Sequence, residues 1–202
     1  TLLRDRLGKD GNTGDAIASR GVSAHAYGGR GEVNQATKLL RRVIQLAPMD
    51  LSARMRLIDQ LVARGQLDDA VREYLELANI HYRLAELDLA RKTYTTALRV
   101  IQQGNASHDW NVHIMQRMAD IDMQRLDWKQ AMRVFEQIRT IRPDDETARK
   151  QLVDLNLRMG LQQQALAELE NFINYLESNN KTEKAIIFLE DLLKEHDDQS
   201  ML

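Results

Sequence analysis

The chain contains no cysteine and only two prolines, Pro48 and Pro143, among its 202 residues. The missing thiols exclude disulfides and cysteine chemistry, which is compatible with a reducing cytosol. Few prolines leave long segments free to be helical, because a proline inside a helix costs about 3 kcal/mol. Aromatic residues make up only 5% of the sequence, so small and aliphatic side chains must form most of the core. We therefore predict an all-α protein located in the cytoplasm.

Charge and hydropathy exclude two classes of partner. The 28 basic residues nearly balance the 30 acidic ones, for a formal charge of −2, whereas a nucleic-acid-binding domain usually carries a basic excess or patch. No apolar run approaches the roughly 20 residues that a membrane-spanning helix needs, and no secretory signal opens the chain. We predict that neither nucleic acid nor a membrane is a partner.

Small residues recur at fixed intervals along the chain. Alanines separated by 34 and then 20 residues occur twice, and the second set follows the first by 95 residues. The six members are Ala36, Ala70, Ala90, Ala131, Ala165 and Ala185. Such spacing is typical of stacked helical hairpins, in which small side chains let neighbouring helices approach closely. Folds of this kind bind partners on their surfaces and rarely catalyse.

A longer internal correspondence supports the same interval. Residues 36–100 placed on 131–195 without a gap give 13 identities in 65 pairs, against roughly four expected from average composition. Most identities fall at helix ends, turns and tight helix contacts, so a shared hairpin pattern could produce them. The pairs Arg54/Arg149 and Asp59/Asp154 are harder to explain by packing, and they favour duplication.

Helix periodicity and end signals divide the chain into short helices. After Pro48, Asp50 can cap a helix whose apolar face ends before Gly65, where a left-handed backbone costs glycine least. The same order of signals returns after Pro143. Since TLLR at 1–4 lies 95 residues before TALR at 96–99, we expect the chain to be cut from a longer array. The predicted helices are 1–7, 15–28, 33–46, 50–64, 67–84, 87–103, 109–125, 128–141, 145–159, 162–178 and 182–195.

Four segments resemble the tetratricopeptide repeat, a 34-residue pair of antiparallel helices with a small residue where the helices cross. The clearest spans residues 112–145, with Ala119 in the first helix, then Trp128, Ala131, Phe135 and Pro143. The resemblance implies a right-handed α-solenoid of antiparallel hairpins over residues 1–202. Its approximate repeats are 17–50, 51–84, 112–145 and 146–179, with a stub and glycine-rich segment at 1–13 and extra helices at 87–103 and 182–195.

The 20-residue intervals depart from this family pattern, because they are too short for a complete hairpin. The helix at 67–84 fits the second helix of one repeat and equally the first helix of the next. We expect this helix to be longer than its neighbours. We also expect a change of twist or packing near 84–108 and another beginning near 179.

No pattern in the sequence specifies a catalytic, metal or cofactor site. None of the five histidines has another histidine three or four residues away, which a helical metal site would require. The GGRG segment at 28–31 lacks the strand, lysine and hydroxyl of a phosphate-binding loop. We predict no enzymatic activity, no cofactor and no metal.

In the resembled family, peptides commonly lie in a groove lined by the first helix of each hairpin. Three recurring aspartates, Asp59, Asp120 and Asp154, would make this surface mildly acidic and favour a basic or amide-rich partner. Alternatively, each aspartate pairs with a nearby arginine, Arg56, Arg117 or Arg158. The lysine and asparagine set that clamps a terminal carboxylate in some members is absent, apart from Lys150. By position, the predicted partner-binding residues are Ser52, Met55, Asp59, Val62, His113, Gln116, Asp120, Met123, Thr147, Lys150, Asp154 and Leu157.

Three functions remain open at this point. The first is a noncatalytic adaptor that binds a protein or peptide on a concave helical surface. The second is a self-assembly module that forms a homo-oligomer, because a truncated array would expose apolar faces at its end helices. The third is a regulatory segment of a larger protein whose activity lies elsewhere.

Overall fold

The computed structural model describes residues 33–104 and 109–200, so the helices predicted at 1–7 and 15–28 lie outside the described residues. Within these ranges the chain forms nine α-helices and no strand. The all-α prediction is confirmed. The helices are α1 (Val33–Leu46), α2 (Leu51–Ala63), α3 (Leu67–Arg83), α4 (Leu87–Gln103), α5 (Asp109–Gln124), α6 (Trp128–Ile141), α7 (Glu146–Arg158), α8 (Gln162–Ser178) and α9 (Thr182–Ser200).

The helix ends follow the predicted signals closely, and the 20-residue steps are present. Helices α3 and α4 begin 20 residues apart, as do α8 and α9. The last helix continues beyond the predicted end at 195 and reaches Ser200. The expectation that α3 is longer than both neighbours is wrong, because its 17 residues exceed the 13 of α2 but equal the 17 of α4.

The chain divides into two compact units, unit 1 at residues 1–110 and unit 2 at residues 111–202. In unit 1, α1 packs on α2, α2 on α3, and α3 on α4. In unit 2, α6 packs on α7, α7 on α8, and α8 on α9. Within each unit these packed helices are joined by short turns, so they form antiparallel hairpins.

The two units repeat the same local structure at an interval of 95 residues. Both ends of α1, α2 and α3 correspond at this interval to those of α6, α7 and α8, and α9 begins 95 residues after α4. Asp50 and Asp145 cap α2 and α7, each accepting a 2.9 Å hydrogen bond from a backbone N–H three residues later. Gly65 and Gly160 both have φ near +70°, at 67° and 73°. The 95-residue interval seen in the sequence is therefore also the interval at which the helix ends and turns recur.

The six alanines that define the intervals lie in the helix interfaces. None of them is more than 3% exposed. A larger side chain at these positions would separate the helix axes, because protein interiors are close-packed and tolerate little added volume. Close helix approach at these alanines, as predicted, is therefore confirmed.

A buried ion pair also recurs at this interval. In unit 1, Arg54 on α2 donates a hydrogen bond to Glu73 on α3. In unit 2, the equivalent Arg149 on α7 donates to Oε1 of Glu168 on α8 at 2.7 Å. A buried charge is tolerated only when an opposite charge and hydrogen bonds replace its water. Packing thus explains the Arg54/Arg149 identity, which the sequence alone left unexplained.

Candidate partner-binding surfaces

The predicted residues on α2 form one solvent-facing stripe of that helix. The opposite face carries Ala53, Leu57 and Leu61, all buried. A helix with one apolar face against its neighbours directs the remaining positions to solvent. The exposed stripe consists of Ser52, Met55, Asp59 and Val62.

Beside this stripe, α2, α3 and α4 enclose a groove of about 380 Å³, which we call the unit 1 groove. Aliphatic side chains from all three helices line it, among them Ile58, Leu77 and Leu89. Met55 also lines the groove and is 55% exposed, so its flexible thioether is available to a partner. The polar side chains lining it are Asp59, Tyr74, His81, Lys92, Thr93 and Thr96.

Asp59 gives the unit 1 groove a negative charge next to a neutral phenol. Burial raises the pKa of Tyr74 above the ordinary phenol value, and the nearby Asp59 carboxylate raises it further. Asp59 forms no ion pair within the described part of unit 1, so the predicted pairing with Arg56 is not found. The Asp59 carboxylate is therefore available to a cation.

Three of the other polar side chains in the unit 1 groove have partners of their own. Nδ1 of His81 lies 2.6 Å from Oε2 of Glu86. The hydroxyls of Thr93 and Thr96 donate to backbone carbonyls one turn earlier in α4, at 2.8 and 3.0 Å. These bonds leave the threonine methyl groups, the tyrosine hydroxyl and the opposite charges of the lining aspartate and lysine as the features that a ligand would encounter.

The predicted residues on α5 are more engaged than those on α2. Gln116 Nε2 donates to Oδ2 of Asp145 at 3.4 Å, which connects α5 to the start of α7. Asp120 lies 3.7 Å from Arg117, as the alternative of aspartate–arginine pairing predicted. Burial raises the pKa of Asp120, and Arg117 partly offsets that rise. Of the four predicted residues on α5, His113 and Asp120 are exposed, whereas Gln116 and Met123 are half-buried.

The four predicted residues on α7 differ in exposure. Thr147 and Leu157 are exposed, whereas Lys150 and Asp154 are half-buried. Lys150 and Asp154 each interact with other groups of the protein. Of the three aspartates in the predicted strip, Asp120 and Asp154 thus interact with other groups of the protein. The described contacts of Asp59 include no cation, and its one polar neighbour is Tyr74.

Unit 2 has a groove of about 370 Å³ between α7, α8 and α9, which we call the unit 2 groove. Its lining is almost entirely aliphatic, with Gln162 as the one polar side chain. Of the predicted residues, only Leu157 lines it. The other aliphatic residues are Val153, Ala165, Leu166, Leu169, Leu189, Leu192 and Leu193.

Sequence reasoning missed the contributions of α3 and α4 to the unit 1 groove, including Tyr74, His81 and Lys92. The predicted sites were carried over from the first helix of each hairpin alone. The missed residues on α3 were detectable by their spacing, because Tyr74, Leu77 and His81 share a helix face. Which groove that face borders depends on how three helices pack together.

Neither a metal site nor a membrane-spanning helix occurs among the described residues. No group of three or more histidine, aspartate or glutamate side chains is arranged there to hold a metal ion. In the same ranges, no helix combines the length and apolar character that crossing a bilayer requires.

Antiparallel hairpins with buried alanines at each crossing and open grooves between helices define a helical-repeat protein of the tetratricopeptide type. A family model described as the tetratricopeptide repeat protein 21 ARM repeat matches residues 21–166. This match covers well over half of the 202 residues. The chain belongs to that family, and the family resemblance seen in the sequence is confirmed.

Several solved structures are similar to this chain. MamA is 13% identical, with 83% of this chain and 96% of that chain covered and a TM-score of 0.46. PilF of Pseudomonas aeruginosa is 14% identical, with 95% and 100% covered and a TM-score of 0.43. YrrB, described as a TPR protein with an unusual peptide-binding site, is 11% identical, with 90% and 96% covered and a TM-score of 0.42. No curated protein sequence matches the chain.

Proposed function

We propose that this protein is a noncatalytic scaffold that binds a peptide segment of another protein in the unit 1 groove. The observation that carries the proposal is the open groove itself, with an aliphatic lining and the carboxylate of Asp59, which forms no ion pair with a described residue. Membership of a family whose proteins are generally interaction scaffolds supports it. A cytoplasmic location, with no nucleic acid as partner, is part of the same proposal.

The lining of the unit 1 groove favours a particular kind of peptide. Met55 and Leu89 offer exposed apolar surface in the same groove as Asp59, and lysine and arginine combine an aliphatic stem with a cationic end. The stem would lie on these two apolar side chains while the charge meets Asp59. Because Tyr74 is neutral over the physiological range, its hydroxyl can contribute a hydrogen bond. A peptide with a basic residue next to apolar ones fits this arrangement.

The test is a positional-scanning peptide library bound to the immobilised full chain. We expect the unsubstituted chain to select lysine or arginine at one position. Asp59→Lys reverses the charge at the groove, so its selection at that position should shift to aspartate or glutamate. The measurement is the residue preference at each library position.

A matched variant controls for net charge. Glu76→Lys makes the same charge change on an exposed residue of α3 that does not line the groove, and it should keep the basic preference. Asp154→Lys tests whether unit 2 contributes to the same selection. An identical preference in the unsubstituted chain and in Asp59→Lys would remove the unit 1 groove as the peptide site.

A further inference from the structure

The unit 2 groove presents large aliphatic side chains to solvent. Leu166 on α8 is 59% exposed, and Leu193 on α9 is 64% exposed. They line one continuous depression with Val153, Leu157 and Leu189. Adjoining exposed apolar side chains in a concave surface mark a binding site more often than scattered ones do.

The internal repeat shows that the positions equivalent to Leu166 and Leu193 are buried in unit 1. Leu166 corresponds to Val71 and Leu193 corresponds to Leu98 at the 95-residue interval. Val71 is fully buried, and Leu98 is only 9% exposed. The same two positions of the repeat are therefore covered in unit 1 and open in unit 2, although both units keep a large aliphatic residue at each.

Two of the three helices that line this groove are strongly acidic, whereas α7 contains two acidic and three basic residues. Helices α8 and α9 contain nine acidic residues and two basic ones, although the whole chain has a formal charge of only −2. Glu170 directly follows Leu169, and Glu190 directly follows Leu189, both of which line the groove. Both glutamates are exposed, and neither forms an ion pair with any residue whose side chain is described.

We propose that the unit 2 groove binds a basic amphipathic helix of a partner protein. The apolar face of that helix covers Leu166 and Leu193, and its flanking lysine or arginine residues meet Glu170 and Glu190. Recognition of this kind depends on apolar anchors at helical spacing, with charge at the edges setting specificity. A second copy docking through the same groove would bring its own acidic α8 and α9 against these glutamates, so like charges oppose that pairing.

The experiment uses the full chain and a designed helical peptide. The peptide carries leucine at positions i, i+3, i+4 and i+7 and lysine elsewhere, and fluorescence anisotropy gives its affinity. The double variant Leu166→Gln/Leu193→Gln should weaken binding by about tenfold or more, because two buried leucine contacts are lost. Ile187→Gln, which changes a similarly exposed side chain of α9 that lines neither groove, should alter the affinity by less than about twofold.

A second pair of measurements tests the charge. Glu170→Gln/Glu190→Gln changes no core contact, and it should both weaken binding and reduce the dependence of affinity on salt. A peptide with glutamate in place of every lysine should not bind. Circular dichroism checks that each variant keeps its helix content, so a loss of binding is not a loss of fold.

Three results would overturn the proposal. The first is equal binding of the lysine and glutamate peptides. The second is unchanged affinity in both the leucine and the glutamate variants. The third is light scattering that shows a dimer abolished by Leu193→Gln, since the groove would then be occupied by a second copy.

Discussion

Arg149 and Glu168 form an ion pair inside unit 2, with side chains 4% and 7% exposed. Glu168 also accepts a hydrogen bond from Arg139 on α6, so one carboxylate joins three helices. Arg149 in turn donates from Nε to the carbonyl of Pro143 at 3.1 Å and lies over the ring of Phe172. In unit 1 the side chain of the equivalent Glu73 is 23% exposed, so hydration by solvent also stabilises its negative charge.

This difference predicts unequal effects of the same substitution. Glu168→Gln should destabilise the protein by about 3 kcal/mol, because two arginines lose the negative charge between them and Arg149 is buried. Glu73→Gln should cost about 1 kcal/mol, since its ion pair is more exposed. Urea denaturation followed by circular dichroism measures both values. Equal losses would mean that burial does not set the strength of these pairs.

At the scale of the helix, α2 and α3 begin in different ways. Asp50 accepts a hydrogen bond from the backbone N–H of Ala53 at the start of α2. Gln66 stands at the corresponding place before α3, and its side chain makes no capping bond. The backbone N–H groups of the first turn of a helix have no partner within that helix, so a capping side chain stabilises the start.

Removing each of these side chains should therefore give different results. Asp50→Ala should cost about 1 kcal/mol, the usual value for loss of an N-cap hydrogen bond. Gln66→Ala should change the free energy of unfolding by less than about 0.5 kcal/mol. The measurement is again urea denaturation. An Asp50→Ala variant as stable as Gln66→Ala would show that the cap contributes nothing here.

The helix boundaries could be predicted because the backbone at a helix end favours particular residue types. Gly65 and Gly160 adopt positive φ after α2 and α7, and an added Cβ at either position would meet no atom within 4 Å. The glycines are therefore favoured by backbone conformation and not by space. Such requirements are local, so they can be detected in the sequence. Ala85 and Leu126 adopt positive φ without being glycine, and their residue types do not predict a left-handed backbone.

At the scale of the whole molecule, packing joins the helices in succession from α1 to α4 in unit 1 and from α6 to α9 in unit 2. Leu57 on α2 and Leu152 on α7 are equivalent, and both are almost completely buried. Repeat proteins are stabilised mainly by contacts between nearest neighbours. A core defect should therefore weaken its own unit more than the other.

The matched pair Leu57→Ala and Leu152→Ala tests this expectation. Each should cost about 2–5 kcal/mol through lost apolar contact and the resulting cavity. Hydrogen exchange should accelerate in α1–α3 for the first variant and in α6–α8 for the second, because local opening reports local stability. Uniform acceleration along the whole chain in both variants would show that the protein unfolds as one cooperative block.

The sequence by itself determined the helices and the interval at which they recur. Periodic apolar faces, Asp50 and Asp145 as caps, and the alanines at helix crossings each act within one helix or between adjacent ones. Their physical effects therefore depend on residues close along the chain. The exposed stripe on α2 was also predictable, because it is the face left over when the opposite face is buried.

Only the tertiary structure decided what lies beside that stripe. The unit 1 groove joins side chains from α2, α3 and α4. In the unit 2 groove, two aliphatic side chains are exposed at positions whose equivalents in unit 1, Val71 and Leu98, are buried. Likewise, the partner of Arg149 lies 19 residues further along the chain. These features depend on how separate helices approach one another, and periodicity along the chain does not specify that approach.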